Sequence, residues 1–306
     1  MKILVITMIH LGVLLPDRIS VAEAGDSVIR AKAGPSEIVI TTAHRLAGAI
    51  HSLKWNGQEF VDSYDHGRQL QSASNLDLGK KFIPEVFNPT EAGSRADGTG
   101  NHSSSKLLNL AAKENELRTT IQMAFWLKPG EKSLGNPAYN DKALSNHLLS
   151  KKLRIGYKAL PHVIEYDVTF TIPKGEQHTF AQFEALTGYM PPEFSKFWIF
   201  DPKTGNLAAL SDGPGEQELP VVFSTPNGKF AMGIYSPDQP SKGFEKAGYG
   251  RFRFKAEKVV KWNCVFRLRN AKGVSAGEYR FRNFVSVGTL EDVRNTMREL
   301  AEEFGN

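Results

Sequence analysis

Runs of β-branched and aromatic residues recur along most of this chain, and turn-forming residues separate them. Such runs between Gly, Pro, Asn and Asp are typical of β-strands. In the stretch VIEYDVTFTI, from Val163 to Ile172, alternate residues are apolar, as in a strand with one buried face. Asn56-Gly57 and Asn227-Gly228 lie between such runs and predict hairpin turns. The sequence therefore predicts an all-β fold.

Helices are predicted in two places at most. Thr289, followed three residues later by Asp292, predicts an N-capped helix near the C-terminus. The stretch 141–153, DKALSNHLLSKKL, is interpreted as a shorter helix or an irregular crossing. No internal repeat or linker is visible, so we expect one domain over residues 25–306. A large antiparallel two-sheet β-sandwich is preferred to a barrel because the chain is long and carries extended polar loops.

The first 24 residues are predicted to be a secretory signal peptide. Lys2 gives a positive start, residues 3–15 are mostly apolar, and Ala22-Glu23-Ala24 provides small residues at cleavage spacing. The apolar core is too short for a comfortable membrane span, and no other long apolar run follows. We therefore expect a protein without a membrane span, secreted or retained in the periplasm, with cleavage after about Ala24.

Composition excludes several classes of function. The net charge of +5 is modest, and the sequence contains neither a Lys/Arg run nor a nucleic-acid-binding motif, so no nucleic-acid partner is expected. Cys264 is the only cysteine, which excludes an intramolecular disulfide and predicts a buried thiol within VVKWNCVFRLRN. No cofactor is predicted, and the sequence does not indicate the oligomeric state.

The stretch SYDHGRQLQSASNLD, residues 63–77, concentrates polar chemistry near its start. His66, Arg68 and Gln69 follow an aspartate, and Gly67 permits a backbone turn that could direct their side chains to one point. One interpretation is a ligand-facing ridge, in which His66 is catalytic and Arg68 and Gln69 bind substrate. The alternative is a polar edge strand whose histidine is hydrogen-bonded and inert.

A second polar stretch, residues 88–105, carries Asn88, Glu91, Arg95 and His102 among glycines. The Asn88-Pro89 pair favours a defined turn, although a solvated, mobile insertion is the alternative. Glu91 or His102 could meet His66 across a cleft and form an acid/base pair, with Asn88 and Arg95 binding substrate. His66 and His102 could also coordinate a metal ion, but their spacing matches no metal-binding motif, so no metal site is predicted.

Two further patterns lie in the second half of the chain. Arginines alternate with apolar residues in GRFRF, FRLRN and YRFRN, which would form one basic patch for acidic ligands if the three strands were neighbours. Glu184, Tyr189 and Trp198 lie in a segment that mixes polar and aromatic residues, as sugar rings require. For both patterns the alternative is ordinary structure, namely a solvated sheet face and core packing.

The segment IHSLKWNGQEFVDSYDHGRQLQ, the following NPTEAGS loop and the later strands resemble secreted bacterial proteins and, more distantly, the galactose-mutarotase-like supersandwich superfamily. This resemblance implies a β-sandwich that binds saccharide on a concave sheet face. In such mutarotases a histidine is the acid and a glutamate the base, and related polysaccharide lyases use Tyr, His or Arg. Only His66 and Glu91 or Glu184 could take these roles here.

These patterns together predict an exported carbohydrate-active protein. Its saccharide, expected to be acidic, would undergo proton transfer by His66, Glu91 or His102, as in cofactor-free epimerases and polysaccharide lyases. The alternatives are a non-catalytic glycan-binding protein, which would use the same cleft, and a structural envelope protein.

Overall fold

A computed structural model describes residues 24–237 and 245–305. The predicted signal peptide therefore lies outside the described residues, apart from Ala24. Within the described ranges, no helix combines the length and the apolar character needed to cross a membrane.

Residues 24–237 and 245–305 form 21 strands, one α-helix (α1) and two short 3-10 helices. The strands are β1 (Ser27–Ala33), β2 (Ser36–Ala43), β3 (Ala49–Trp55), β4 (Gln58–Glu59), β5 (Leu70–Leu76), β6 (Pro89–Thr90), β7 (Lys106–Lys113), β8 (Glu116–Phe125), β9 (Lys132–Ser133), β10 (Asn136–Pro137), β11 (Leu144–Tyr157), β12 (Leu160–Ile172), β13 (His178–Met190), β14 (Lys196–Asp201), β15 (Asn206–Leu210), β16 (Gly215–Gln217), β17 (Val221–Ser224), β18 (Ala231–Tyr235), β19 (Gly248–Phe254), β20 (Val259–Val274) and β21 (Gly277–Gly288). The helices are α1 (Leu290–Phe304) and the 3-10 turns His44–Leu46 and Arg95–Asp97.

The strand pairings trace two antiparallel layers. One layer runs β7-β8-β11-β12-β21-β18-β17-β14-β15. The other runs β1-β2-β3-β5-β13-β20-β19-β16. The short strand β6 pairs with β5 on one side and β8 on the other, and so joins the layers. This arrangement confirms the predicted all-β sandwich.

Aromatic side chains from both layers meet in the core. The ring of Phe183 on β13 lies 5.3 Å from that of Phe281 on β21, and 5.1 Å from that of Phe170 on β12. Phe266 on β20 stacks on Phe281 at 4.7 Å. Because aromatic rings bury large apolar areas, these contacts stabilise the packing of one layer on the other.

Two local predictions are confirmed. Asn56 and Gly57 both have positive φ, 49° and 77°, and close the hairpin between β3 and β4. The helix α1 begins with a reciprocal capping box, in which the Thr289 hydroxyl accepts from the Asp292 amide and the Asp292 carboxylate accepts from the Thr289 amide. The buried stripe of α1 packs on β18 and β21.

The interpretation of 141–153 as a helix or irregular crossing is wrong, because most of this stretch belongs to strand β11. Its burial alternates with a period of two, but polar residues occupy several inward positions: Ser145, His147 and Lys151 are buried. Helix prediction failed because these inward polar residues break the apolar alternation by which strands are recognised. A register shift between Leu144 and Leu148 further disturbs the pattern.

The arginine patterns do not form one patch. GRFRF lies on β19 and FRLRN on its neighbour β20, but YRFRN lies on β21, in the other layer. The arginines are also paired: Arg267 forms a bidentate contact with Glu216, and Arg282 contacts Glu165. The alternative interpretation, a solvated sheet face with charges of both signs, describes these strands better.

Candidate functional site

A cleft of about 220 Å³ opens on the outer face of the second layer, opposite the interlayer core. Strand β5 forms one wall with alternate residues Gln71, Ala73 and Asn75. The side-chain amide of Gln71 donates to the Gly67 carbonyl at 2.7 Å, and Asn75 Oδ1 accepts from the Glu85 amide at 2.9 Å. These bonds hold the preceding loop and the 84–90 segment against the strand, so both segments line the cleft.

A β-bulge in β13 aligns four of the residues that line the floor. Gln182 and Glu184 face the cleft, and so do Thr187 and Tyr189, although strict alternation would turn the second pair away. The pairing of β13 shifts between Glu184 and Leu186 against β20, and between Glu184 and Thr187 against β5. Because a bulge inserts one extra residue, it changes the phase of the strand and brings all four side chains to one face.

The centre of the floor is a charged pair. Lys261 Nζ lies 3.3 Å from Glu184 Oε2, which also accepts from the Thr187 hydroxyl at 2.9 Å. Burial alone would raise the pKa of Glu184, but the charge of Lys261 and the hydrogen bonds from Thr187, Lys261 and Asn263 outweigh it and lower that pKa. Burial would likewise lower the pKa of Lys261, but the charge of Glu184 raises it above its usual value. Both groups are therefore ionised at neutral pH.

Two aromatic side chains accompany this pair. Tyr189 presents its ring 5.2 Å from Lys261 Nζ, in cation-π range. Half-buried Trp126 lines the opposite side, and its backbone amide and carbonyl are bonded to Asn88 and Arg95 of the second polar stretch. Gly67 lies directly against Trp126, since a Cβ at this position would come within 2.7 Å of Cη2. The glycine thus permits close approach of the indole.

The structure gives His66 a closed environment. The residue is 1 % exposed, and its two ring nitrogens each lie 2.7 Å from a backbone carbonyl, those of Gly98 and Arg45. Neither nitrogen faces the cleft. The histidine is hydrogen-bonded, as in the alternative interpretation, but it lies in a turn before β5 and not on an edge strand. Its contact with Gly98 joins the two polar stretches.

Glu91 is also enclosed. It is fully buried, contacts the ammonium of Lys151, and accepts from the Ser72 amide at 3.0 Å. His102, in contrast, is exposed. Among the described residues no hydrogen bond joins His66, Glu91 and His102. Their catalytic roles remain predictions, and these contacts do not favour them.

Of the residues predicted to bind substrate, Asn88, Glu184 and Tyr189 line the cleft and four others do not. Arg68 lies between Asp62 and Asp65, and Gln69 is fully buried. Arg95 is paired with Glu131 at 3.2 Å. The fourth, Trp198, lies on β14 in the other layer, where its indole donates to the Ser224 hydroxyl.

Sequence analysis missed two central residues of the cleft, Lys261 and Trp126. Lys261 is the single charged residue in the apolar run VVKWNCVF around Cys264. Trp126 follows Phe125 directly at the end of β8, where two adjacent aromatics break the alternation of the strand. Two sequence signals could have identified these residues. They are the charge of Lys261 inside an apolar strand and the break in alternation at Trp126.

Comparisons with known proteins give structural matches only. No family model matches the sequence, and no curated protein matches it. A putative aldose 1-epimerase from Klebsiella pneumoniae is similar, with 8 % identity, a TM-score of 0.45 and 92 % coverage of each chain. The Slr1438 protein from Synechocystis has 10 % identity and a TM-score of 0.44, over 92 % of this chain and all of that one.

A third match is the heparan sulfate lyase HepC from Pedobacter heparinus, with 11 % identity and a TM-score of 0.43. The match covers 87 % of this chain but 35 % of the lyase, so this chain spans about a third of that protein.

Proposed function

We propose that this protein binds a saccharide in the cleft lined by β5, β13, Lys261 and Trp126. The observation that carries the proposal is the combination of two half-buried aromatic rings with side-chain amides, a hydroxyl and an ion pair on one concave surface. A sugar ring offers an apolar CH face and a rim of hydroxyls. Aromatic faces suit the first, and amide and charged groups suit the second.

The charges of the cleft favour a neutral sugar over the acidic one expected from the sequence. The lining contains one cation, Lys261, and two carboxylates, Glu85 and Glu184. Since Lys261 is already paired with half-buried Glu184, a uronate would compete with that carboxylate and face net negative charge. A neutral saccharide can instead use both ions as fixed hydrogen-bond partners.

Binding is favoured over catalysis by the protonation states of the same pair. A general acid or base works best with a pKa near the working pH. The pKa of Glu184 is lowered and that of Lys261 raised, so both move away from neutrality. If the protein were an epimerase or lyase, we would assign proton acceptance to the Glu184 carboxylate, at the centre of the floor, rather than to Glu85. Export of this saccharide-binding protein is proposed on residues 1–24 alone.

The test is calorimetric titration of the chain with a panel of neutral, amino and uronic saccharides. Trp126→Leu should weaken the affinity for the bound sugar by at least roughly tenfold, because it removes the stacking face. Trp198→Leu is the matched control, since it removes a half-buried tryptophan from the other layer, and it should leave affinity unchanged. Absence of binding across the panel, or equal weakening by both variants, would contradict the proposal.

The same samples distinguish binding from catalysis. Unsaturated-uronate absorbance reports lyase action, and proton NMR of the anomeric signals reports epimerisation. Binding without any new product supports the proposed function. If a new product forms and Glu184→Gln abolishes it, the protein is an enzyme and the proposal of binding without catalysis is wrong.

A further inference from the structure

Three side chains outside the cleft converge at one end of the sandwich: His147, Glu176 and His178. Inward alternation in β11 buries His147, and His178 is the first residue of β13. Glu176 lies in the turn between β12 and β13, two residues before His178 and 29 after His147. This long separation explains why no metal-ligand spacing is visible in the sequence.

The donor atoms of these residues face one another. Glu176 Oε2 lies 2.7 Å from His147 Nε2 and 3.0 Å from His178 Nε2, and one ligand atom from each residue falls within 4.8 Å of the others. The imidazoles are 2 % and 1 % exposed, whereas the Glu176 side chain is 20 % exposed and leaves an approach from solvent. No other group of three or more such residues meets this criterion in residues 24–237 and 245–305.

The surroundings fix both imidazoles. Phe87 packs its ring 6.0 Å from His147 and 5.7 Å from His178. The second ring nitrogen of His178, Nδ1, accepts from the Leu78 amide at 3.2 Å and lies 3.7 Å from Asp77 Oδ1. A carboxylate next to the outer nitrogen is the usual support of a metal-bound histidine.

We propose that His147, Glu176 and His178 form a zinc site. Two imidazole nitrogens and one carboxylate oxygen are a ligand set that zinc accepts, with water in the fourth position. When zinc binds His178 Nε2, the neutral ring carries its proton on Nδ1 instead, so the contact with the Leu78 amide is lost and the Nδ1 proton faces the Asp77 carboxylate, 3.7 Å away. No net proton is released from this ring.

A bound zinc ion would restrain the segment that forms part of the cleft wall. Phe87 precedes Asn88, which lines the cleft, and the Phe87 carbonyl accepts from the Leu76 amide at the end of β5. Zinc would cross-link β11, the β12–β13 turn and the start of β13 beneath this segment. The proposal does not depend on the nature of the cleft's ligand.

The test uses the full chain free of any affinity tag, dialysed against metal-free buffer and titrated with zinc chloride. The expected result is one zinc per chain and a zinc-dependent rise in melting temperature. Glu176→Gln and His147→Asn should weaken zinc binding by at least roughly tenfold. His162→Asn is the matched control, because it removes a buried histidine bonded to the Val287 carbonyl and should leave zinc binding unchanged.

X-ray absorption on the zinc-loaded wild type keeps the test decisive if His147→Asn fails to fold. Two imidazole nitrogens and two oxygens, one from Glu176 and one from water, are expected at about 2.0–2.2 Å. Absence of zinc binding, or folded variants that bind zinc like the wild type, would overturn the proposal and leave a hydrogen-bonded triad. Because calorimetry with saccharides is separate, either proposal can fail alone.

Discussion

The Glu91–Lys151 pair tests whether Glu91 has a structural rather than a catalytic role, because both side chains are buried away from water. Their exposed fractions are 0 % and 1 %, and the Lys151 ammonium also lies 5.8 Å from the Tyr166 ring. Lys151→Met keeps a long apolar stem but removes the cation. The Glu91 carboxylate then stays buried, and its remaining hydrogen-bond partner among the described residues is the Ser72 amide.

Removing one partner of a buried ion pair costs about 3–5 kcal/mol, because the remaining charge has lost its compensation. We therefore expect Lys151→Met to lower the free energy of unfolding by that amount. Adding Glu91→Gln removes the stranded charge while its amide oxygen can still accept from Ser72. The double variant should therefore recover at least about 2 kcal/mol relative to Lys151→Met.

The assay is equilibrium unfolding in urea at neutral pH, followed by tryptophan fluorescence, with free energies from the midpoint and slope. A loss below about 1 kcal/mol in Lys151→Met would refute the reasoning. So would a double variant that is no more stable than Lys151→Met. If Glu91→Gln abolished an enzymatic activity without loss of stability, the catalytic prediction for Glu91 would stand.

Three further predictions concern single groups. Because the pKa of Glu184 is lowered in the folded state, its ionisation stabilises the fold above the ordinary pKa of a glutamate. This contribution is lost as the pH falls through the folded pKa. The difference in unfolding free energy between wild type and Glu184→Gln, measured by urea unfolding, should therefore shrink below about pH 4. Cys264 is fully buried and its pKa is raised mainly by burial, so a thiol reagent should modify it only when denaturant is added. Thr289→Ala removes the N-cap of α1 and should cost about 1 kcal/mol in the same unfolding assay, whereas Thr204→Ala, on an exposed turn, should cost less.

Local patterns predicted the fold class well because its signals are local. The Asn56-Gly57 hairpin, the Thr289 cap and the alternation of β12 each depend on residues close together in the chain. Strand β11 was missed because His147 and Lys151 occupy inward positions that apolar residues normally fill. Their partners, Glu176 and Glu91, lie 29 and 60 residues away, so no local pattern could show that they were paired.

The cleft was harder to predict because it depends on register. Glu184 and Lys261 are 77 residues apart and meet only because β13 and β20 are neighbours. The bulge after Glu184 then decides that Tyr189 joins the same face, and alternation counted from the sequence gives the opposite side. The polar stretch around His66 was conspicuous because its polar residues are adjacent in the chain, whereas the residues of the cleft look ordinary until strands pair. The density of polar residues in the sequence therefore indicated the loops that support the cleft. The residues of its floor could be recognised only from the pairing of β5, β13 and β20.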